Sequence, residues 1–396
     1  MGYINFKEEV SVAKTELINR INNNENILNK MKKDKSLAKG FSPDKDYSYK
    51  ETEDVLIGKN TTEDEESFLI IRNTDFVCAK FIQCKFENVK FIECNFIGCI
   101  FEKCKFCNGG VVFDKCNFIK DDSNKTPSLN KEDNFSCYFK DCKLYAKFLN
   151  SKVSYAIFEQ CLMKNTNLEQ SNFSNAIIIY SELKMFIVKD CNLTGTKFVK
   201  TYISDLEFRD INKTKLDEKT FFDKIEVRKK TRDEYEGLYT VYETLADKFK
   251  ENTLNNNFGE YYYLCKTMQR KTLKLIPRIG SYLYLVTCGY GERPWYALIT
   301  SLVLIFIFAV IYLFSGIDLE GDAIQYTVNT ISTISFKDFI MHMNETLNLS
   351  TGAFVGVGYN NAKPTEISYT VENIEMIVGA IMMGIGVGTV TRKLVR

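Results

Sequence analysis

Phe76, Phe81, Phe86, Phe91, Phe96, Phe101 and Phe106 stand five residues apart. A period of five matches neither the α-helix, at about 3.6, nor the flat strand, at about 2. It predicts a wall that turns a corner every five residues and sends each phenylalanine into one shared core. After a break the period resumes at Phe158, Met163, Leu168, Phe173, Ile178, Leu183, Val188, Leu193, Phe198, Ile203 and Phe208. Two residues before these positions the side chain is nearly always small, as at Cys84, Cys94, Cys99, Cys104, Ala156, Cys161, Thr166, Ser171, Ala176, Ser181, Cys191, Thr196 and Thr201. One large and one small inward residue per five predict a close-packed interior, with Lys, Glu, Asn and Asp left for solvent.

This pattern resembles the pentapeptide-repeat family. The resemblance implies a right-handed, quadrilateral β-helix over residues 76–208, with four repeats per coil and coils stacked ~4.8 Å apart. Thirteen cysteines would otherwise raise disulfides or metal. Nine of them (Cys84, Cys94, Cys99, Cys104, Cys116, Cys137, Cys142, Cys161 and Cys191) fall at the small inward slot as compact fillers. Only Cys104 and Cys107 have CxxC spacing, and the repeat sends the first inward and the second outward, against a shared zinc. The single histidine, His342, argues against a mixed Cys/His site. So many unpaired thiols fit a reducing compartment, and the N-terminus carries no secretory signal, so the solenoid is expected in the cytosol. Some members of the family are acidic mimics of DNA. Here the net charge is +1, and Lys80, Lys85, Lys90, Lys103 and Lys105 outnumber Glu87, Glu93 and Glu102, which gives no phosphate-like surface.

Residues 1–35 read as an amphipathic helix, with Val10, Ala13, Leu17, Ile18, Ile21, Ile27, Leu28 and Met31 on one face, packed as a cap or small bundle against the solenoid end. Phe6 stands where a myristoylation signal at Gly2 would need Ser or Thr. Residues 36–75 are polar and read as a linker. Residues 121–134 interrupt the period as an extruded loop. Residues 209–287 form a helical-hairpin connector, with helical spacing at 231–250 and again at 261–275.

Residues 295–315 run for 21 positions without a charge, ~31 Å as a helix and enough to cross a bilayer. Pro294 suits a first helical turn, and Trp295 with Tyr296 an aromatic belt. Residues 374–391 form a second span, uncharged after Glu375, in which Gly379, Gly384, Gly386 and Gly388 permit close helix approach or bending. Glu372 and Glu375 share a helix face and are expected to solvate the outer end of that span. Lys271, Lys274, Arg278 and Arg293 precede the first span, and Arg392, Lys393 and Arg396 follow the second. By the positive-inside rule both termini are cytoplasmic.

Between the spans, residues 349–361 read LSTGAFVGVGYNN. They resemble the pore loop of two-span potassium-type channels, whose filter reads T-V-G-Y-G-D. Val357, Gly358 and Tyr359 match; Gly356 replaces the threonine, Asn360 the second glycine and Asn361 the aspartate. Filter carbonyls must turn toward one axis, which glycines permit. A glycine-rich external turn is the plainer reading of the same letters. The segment TCGYGE, residues 287–292, is closer in spelling, but no span precedes it. Residues 288–295 instead resemble a motif that leads into the membrane in bacterial pentapeptide-repeat channel-like proteins, where Tyr290, Gly291, Glu292 and Arg293 would couple the cytosolic part to the first span.

The resemblance implies a multidomain chain: β-helix, αα-hairpin and, over residues 288–396, an α-helical two-span membrane pore domain. It implies a homotetramer in the lipid bilayer of a bacterial plasma membrane, conducting a monovalent cation, potassium. Gly379 or Gly384 would be bend points of the inner pore. The β-helix would take a protein or small-molecule ligand. The rival expectation is a membrane-anchored β-helix scaffold that binds a protein partner. No catalytic constellation, cofactor motif, metal site or basic nucleic-acid stripe is evident, so the chain reads as no enzyme.

Overall fold

Two residues after Phe76, Phe81, Phe86, Phe91, Phe96 and Phe101 the backbone turns left-handed. In a computed structural model, which describes residues 3–38, 40–59, 68–118, 136–327, 330, 334–358 and 361–395, Cys78, Gln83, Asn88, Glu93 and Lys103 have φ of +47° to +55°. Gly98 holds the same place at φ +61°. The series recurs at Gln160, Asn165, Gln170, Asn175, Tyr180, Met185, Asp190, Gly195, Lys200 and Asp205. A left-handed residue reverses the local curl of the chain and so makes the corner, at roughly 1–2 kcal/mol for a side chain other than glycine. What offsets this is pairing: the amides of Cys78, Gln83, Lys103 and Asn175 each donate to a carbonyl of the next coil at 2.8 Å.

The chain divides into two units, Met1–Thr272 and Leu273–Arg396. The first is a parallel β-solenoid of about seven turns. One ladder of eight strands runs from Glu51–Glu53 to Phe221–Phe222, and a second, of nine, lies on another face. Successive coils are offset by 20 residues, as in Phe81↔Phe101 and Phe158↔Ile178. Equivalent rings therefore stack in columns: Phe86 on Phe106 at 4.5 Å and Phe101 on Phe139 at 4.6 Å, with their planes nearly parallel. The small slot does more than fill space. Cys99 Sγ donates to the Phe76 carbonyl at 3.1 Å, Cys137 to Phe96 at 3.0 Å, Ser171 to Phe148 at 3.0 Å and Thr196 to Phe173 at 2.8 Å. Cysteine, serine and threonine alternate there because each is a small donor to a buried carbonyl.

The solenoid is longer than its phenylalanine period. The stretch expected as a linker, 36–75, contributes the strands Glu51–Glu53, Leu56–Gly58 and Leu69–Arg72 to the ladders. Its first coils lack the inward phenylalanines, which is why the pattern was silent. At the other end Phe221–Phe222 closes the first ladder. The loop expected at 121–134 lies outside the described residues.

Helix α1, Phe6–Lys33, does not sit at the solenoid end as expected but lies along its side. Ala13 and Leu17 pack on Ile157, Ile177, Ile179, Val199 and Phe221, while Ile27 and Met31 pack on Val77, Cys78 and Ile97. These partners are outward-facing aliphatics where other coils carry charge. Twenty-eight residues span ~42 Å, enough to cross all the coils. Buried Arg20 on α1 donates to the carbonyls of Asn175 and Tyr155 and pairs with Glu16, and burial lowers its pKa.

Helices α2, Arg232–Glu251, and α3, Asn255–Thr272, form the expected hairpin, but as an end cap rather than a spacer. Phe222 N donates to the Tyr261 hydroxyl and Ile225 N to the Tyr242 hydroxyl, both at 2.8 Å. The terminal backbone donors of the solenoid are thereby satisfied by buried phenols.

The second unit holds α4, Leu275–Cys288, α5, Pro294–Ser315, α6, Phe336–Val355, and α7, Ser368–Val395. Helices α5 and α7 are long and apolar enough to cross a membrane. A small antiparallel sheet, Asp322–Ile324, Ile317–Leu319 and Ala362–Pro364, follows α5 and precedes α7.

Candidate functional site

Helix α6 starts at Ser335, whose side chain accepts from Asp338 N, and ends where Gly356 adopts φ +73°. Ser at the N-cap and glycine at the left-handed C-cap are what helix ends require. Gly356 thus closes α6, and its N–H bonds the Gly352 carbonyl at 2.9 Å. Gly358 follows at φ +85°, with Val357 between them largely exposed. Tyr359 and Asn360 lie outside the described residues. Asn361 is exposed, directly before the strand Ala362–Pro364.

Glu375, expected at the solvated outer end of α7, is fully buried. Its carboxylate accepts from the Tyr312 hydroxyl at 2.8 Å and lies against the Ser350 hydroxyl, which also sits 2.9 Å from the Ile305 carbonyl. One carboxylate thereby joins α5, α6 and α7. The expectation failed because two positions on one helix face were treated as equivalent, whereas the neighbouring helices cover only one. The signal was present: a single acid inside an otherwise apolar span is costly unless partnered.

Gly379 lies where α6 ends against α7: a β-carbon there would stand 2.0 Å from the Phe354 carbonyl oxygen. A β-carbon at Gly384 or Gly388 would meet nothing within 4 Å outside its own helix backbone, and one at Gly386 would lie 3.9 Å from Ala297. All four glycines belong to one continuous helix. Phe354 itself packs on Ala297 and Met382, which completes the contact of the three helices.

At the opposite end of α7 the segment from Gly289 to Arg293 gathers around the last helical turn. Tyr290, at φ +59°, places its hydroxyl 2.9 Å from Ser281 Oγ on α4. Gly291, at φ +79°, is abutted by the Arg392 guanidinium. Glu292 is fully buried, with Arg392 Nη2 at 3.2 Å and Lys393 Nζ at 3.7 Å. Arg293 folds its stem over Gly289, the C-cap of α4. Arg392 and Lys393, read from sequence only as inner-side charges, are the partners of this segment. Among the described residues no group of three His, Cys, Asp or Glu side chains could hold a metal ion.

Residues 74–108 match the family model of pentapeptide repeats, in 8 copies. Among solved structures the chain is similar to QnrB1, a plasmid-mediated fluoroquinolone resistance protein: 20% identity over 40% of this chain and 76% of that one, TM-score 0.20. The full-length QnrB1 structure gives 16% identity over 43% and 94%, TM-score 0.16. HetL, a pentapeptide repeat protein involved in heterocyst differentiation regulation from Nostoc sp. strain PCC 7120, gives 11% identity over 35% and 69%, TM-score 0.16. No curated protein matches the chain.

Proposed function

Since the chain is a pentapeptide-repeat protein with a β-solenoid, we propose that its solenoid is the cytosolic platform of a two-span membrane cation channel. The observation that carries this reading is the bridge of Tyr312, Ser350 and Glu375 across α5, α6 and α7. A helix held between two apolar helices by a buried carboxylate, and ending in Gly356-Val357-Gly358, supports the reading of a re-entrant pore loop. Irregular backbone at membrane depth must be supported by protein. Two spans cannot enclose a pore, so the channel needs several copies, four by the resemblance to two-span potassium-type channels, with the loop carbonyls replacing the hydration shell of a monovalent cation. The 20-residue offset of the coils fits four five-residue sides per coil, a quadrilateral form, whose right-handed sense is carried over from the family resemblance.

In this reading α5 and α7 cross the bacterial plasma membrane with both termini in the cytoplasm, and Tyr290, Gly291, Glu292 and Arg293 pass changes between the inner end of α7 and α4. The chain catalyses no reaction. Gly356 as a helix cap supplies no hydroxyl ligand, so selectivity between potassium and sodium is weak. Reconstitution in liposomes, with ion flux followed under potassium and sodium gradients, tests the reading. Flux of both cations is expected. Absence of flux from well-folded tetramers would leave the membrane-anchored scaffold in its place.

A further inference from the structure

Several charged neighbours on successive coils are opposite in sign. Glu51 faces Lys80 at 3.3 Å, Glu93 faces Lys115 at 3.5 Å and Glu169 faces Lys189 at 2.5 Å; on one ladder Glu102, Lys140 and Glu159 follow one another. On the second ladder one run of strands does the opposite, as do Lys164 and Lys184 further along. Lys85, Lys105 and Lys143 are directly in register on three consecutive strands, all exposed. At the strand spacing of ~4.8 Å their stems run side by side, and like charges directly opposite destabilise a sheet. Among the described residues none of the three has an ion pair. Glu87 on the same face is buried, with Oε1 at 3.7 Å from Cys107 Sγ, and Asp114 is taken by Lys90 at 3.5 Å. Lys147 and Lys164, further along, are also exposed and without ion pairs.

Beside the row the ladder is irregular. The strand Lys105–Asp114 slips its register between Phe106 and Val111. Gly110, at φ +88°, leaves room for Tyr145, whose ring would lie 3.3 Å from a β-carbon there. A groove of about 400 Å³ opens next to it, lined by Cys107, Leu144, Tyr145 and Leu162, with Lys143 and Lys164 at its edge.

We propose that this face binds an acidic protein segment: carboxylates on the row Lys85, Lys105 and Lys143, and an apolar side chain in the groove beside Tyr145 and Leu162. The unmet charge supplies the sign of the partner and the groove its mixed character. A nucleic acid would call for a platform of aromatic side chains, of which Tyr145 is one. A lipid surface would call for a broad basic area with apolar residues projecting beyond it, not a recessed groove. Charge of this kind chiefly raises association rate and selects the partner.

The test uses the full chain in zwitterionic detergent and a short fluorescein-labelled peptide alternating glutamate and leucine. Salt-sensitive binding is expected. The variant Lys85→Glu, Lys105→Glu, Lys143→Glu should weaken it by at least ~10-fold. A control of equal charge at exposed lysines away from this face, Lys152→Glu, Lys213→Glu, Lys229→Glu, should bind as the unaltered chain does. Lys105→Glu alone should raise the melting temperature of the solenoid by about 1–3 °C, because it turns two repulsions into attractions. Equal loss in both triple variants, or a lowered melting temperature with Lys105→Glu, would overturn the proposal. So would binding of oligothymidine, or of micelles carrying phosphatidylglycerol, through these lysines in preference to the peptide.

Discussion

Gly379 on α7 lies directly under the carbonyl of Phe354 at the end of α6, so close that a β-carbon would stand 2.0 Å from the oxygen. The oxygen is backbone and cannot rotate away. Gly379→Ala must therefore move one helix relative to the other, an overpacking cost of about 1–3 kcal/mol. Gly384→Ala meets nothing within 4 Å and gains up to about 1 kcal/mol of helix propensity. Thermal melting in detergent should fall for the first and hold or rise for the second, and cation flux should fall only for the first. The reverse order would mean that Gly384, not Gly379, is the constrained position.

Glu292 is expected to hold the inner end of α7. Lys393, 7% exposed in its side chain, carries more of the pair than Arg392 at 38%, because solvent screens the exposed partner. Glu292→Gln removes the buried charge that faces Lys393 and Arg392 and should cost on the order of 3 kcal/mol. Lys393→Met should reproduce the loss; Arg392→Met should do little. Melting in detergent checks the ranking, and a raised resting ion leak with Glu292→Gln would tie the pair to gating.

Phe96 stacks on Phe76 at 4.9 Å and on Phe118 at 4.8 Å. Phe96→Ala should cost about 3–5 kcal/mol. Lys103→Ala, at an exposed corner, should change little. Circular dichroism of the full chain in detergent during heating checks both.

The thiols should make the solenoid weaker in alkali. Burial pushes the Cys78 thiol up to about 12 and that of Cys191 to about 11. In the unfolded chain these thiols ionise near pH 9, the ordinary value for a thiol. Between pH 9 and 11 the unfolded state therefore binds fewer protons than the folded one, and stability falls as pH rises, by up to about 1.4 kcal/mol per pH unit for each such thiol. Below pH 9 the same groups give no slope. Denaturant midpoints measured across this range should drop, and the variant Cys78→Ser with Cys191→Ser should drop less.

The five-residue phenylalanine period and its small partner residues determined the solenoid core, because inward volume is a property of each residue and repeats with the coil. Two apolar stretches likewise determined α5 and α7, since length and lack of charge are local. The left-handed corners could not be read the same way. Gln83, Glu93, Lys103 and Met185 turn left-handed although none favours that conformation, and only the hydrogen bonds to the next coil hold them there. The same holds for Glu375, whose chemistry depends on Tyr312 and Ser350, 63 and 25 residues away. It holds for Lys85, Lys105 and Lys143 as well. In sequence they are separate lysines among many; only the parallel register sets them side by side, because coil offset, not chain order, decides which charges are neighbours.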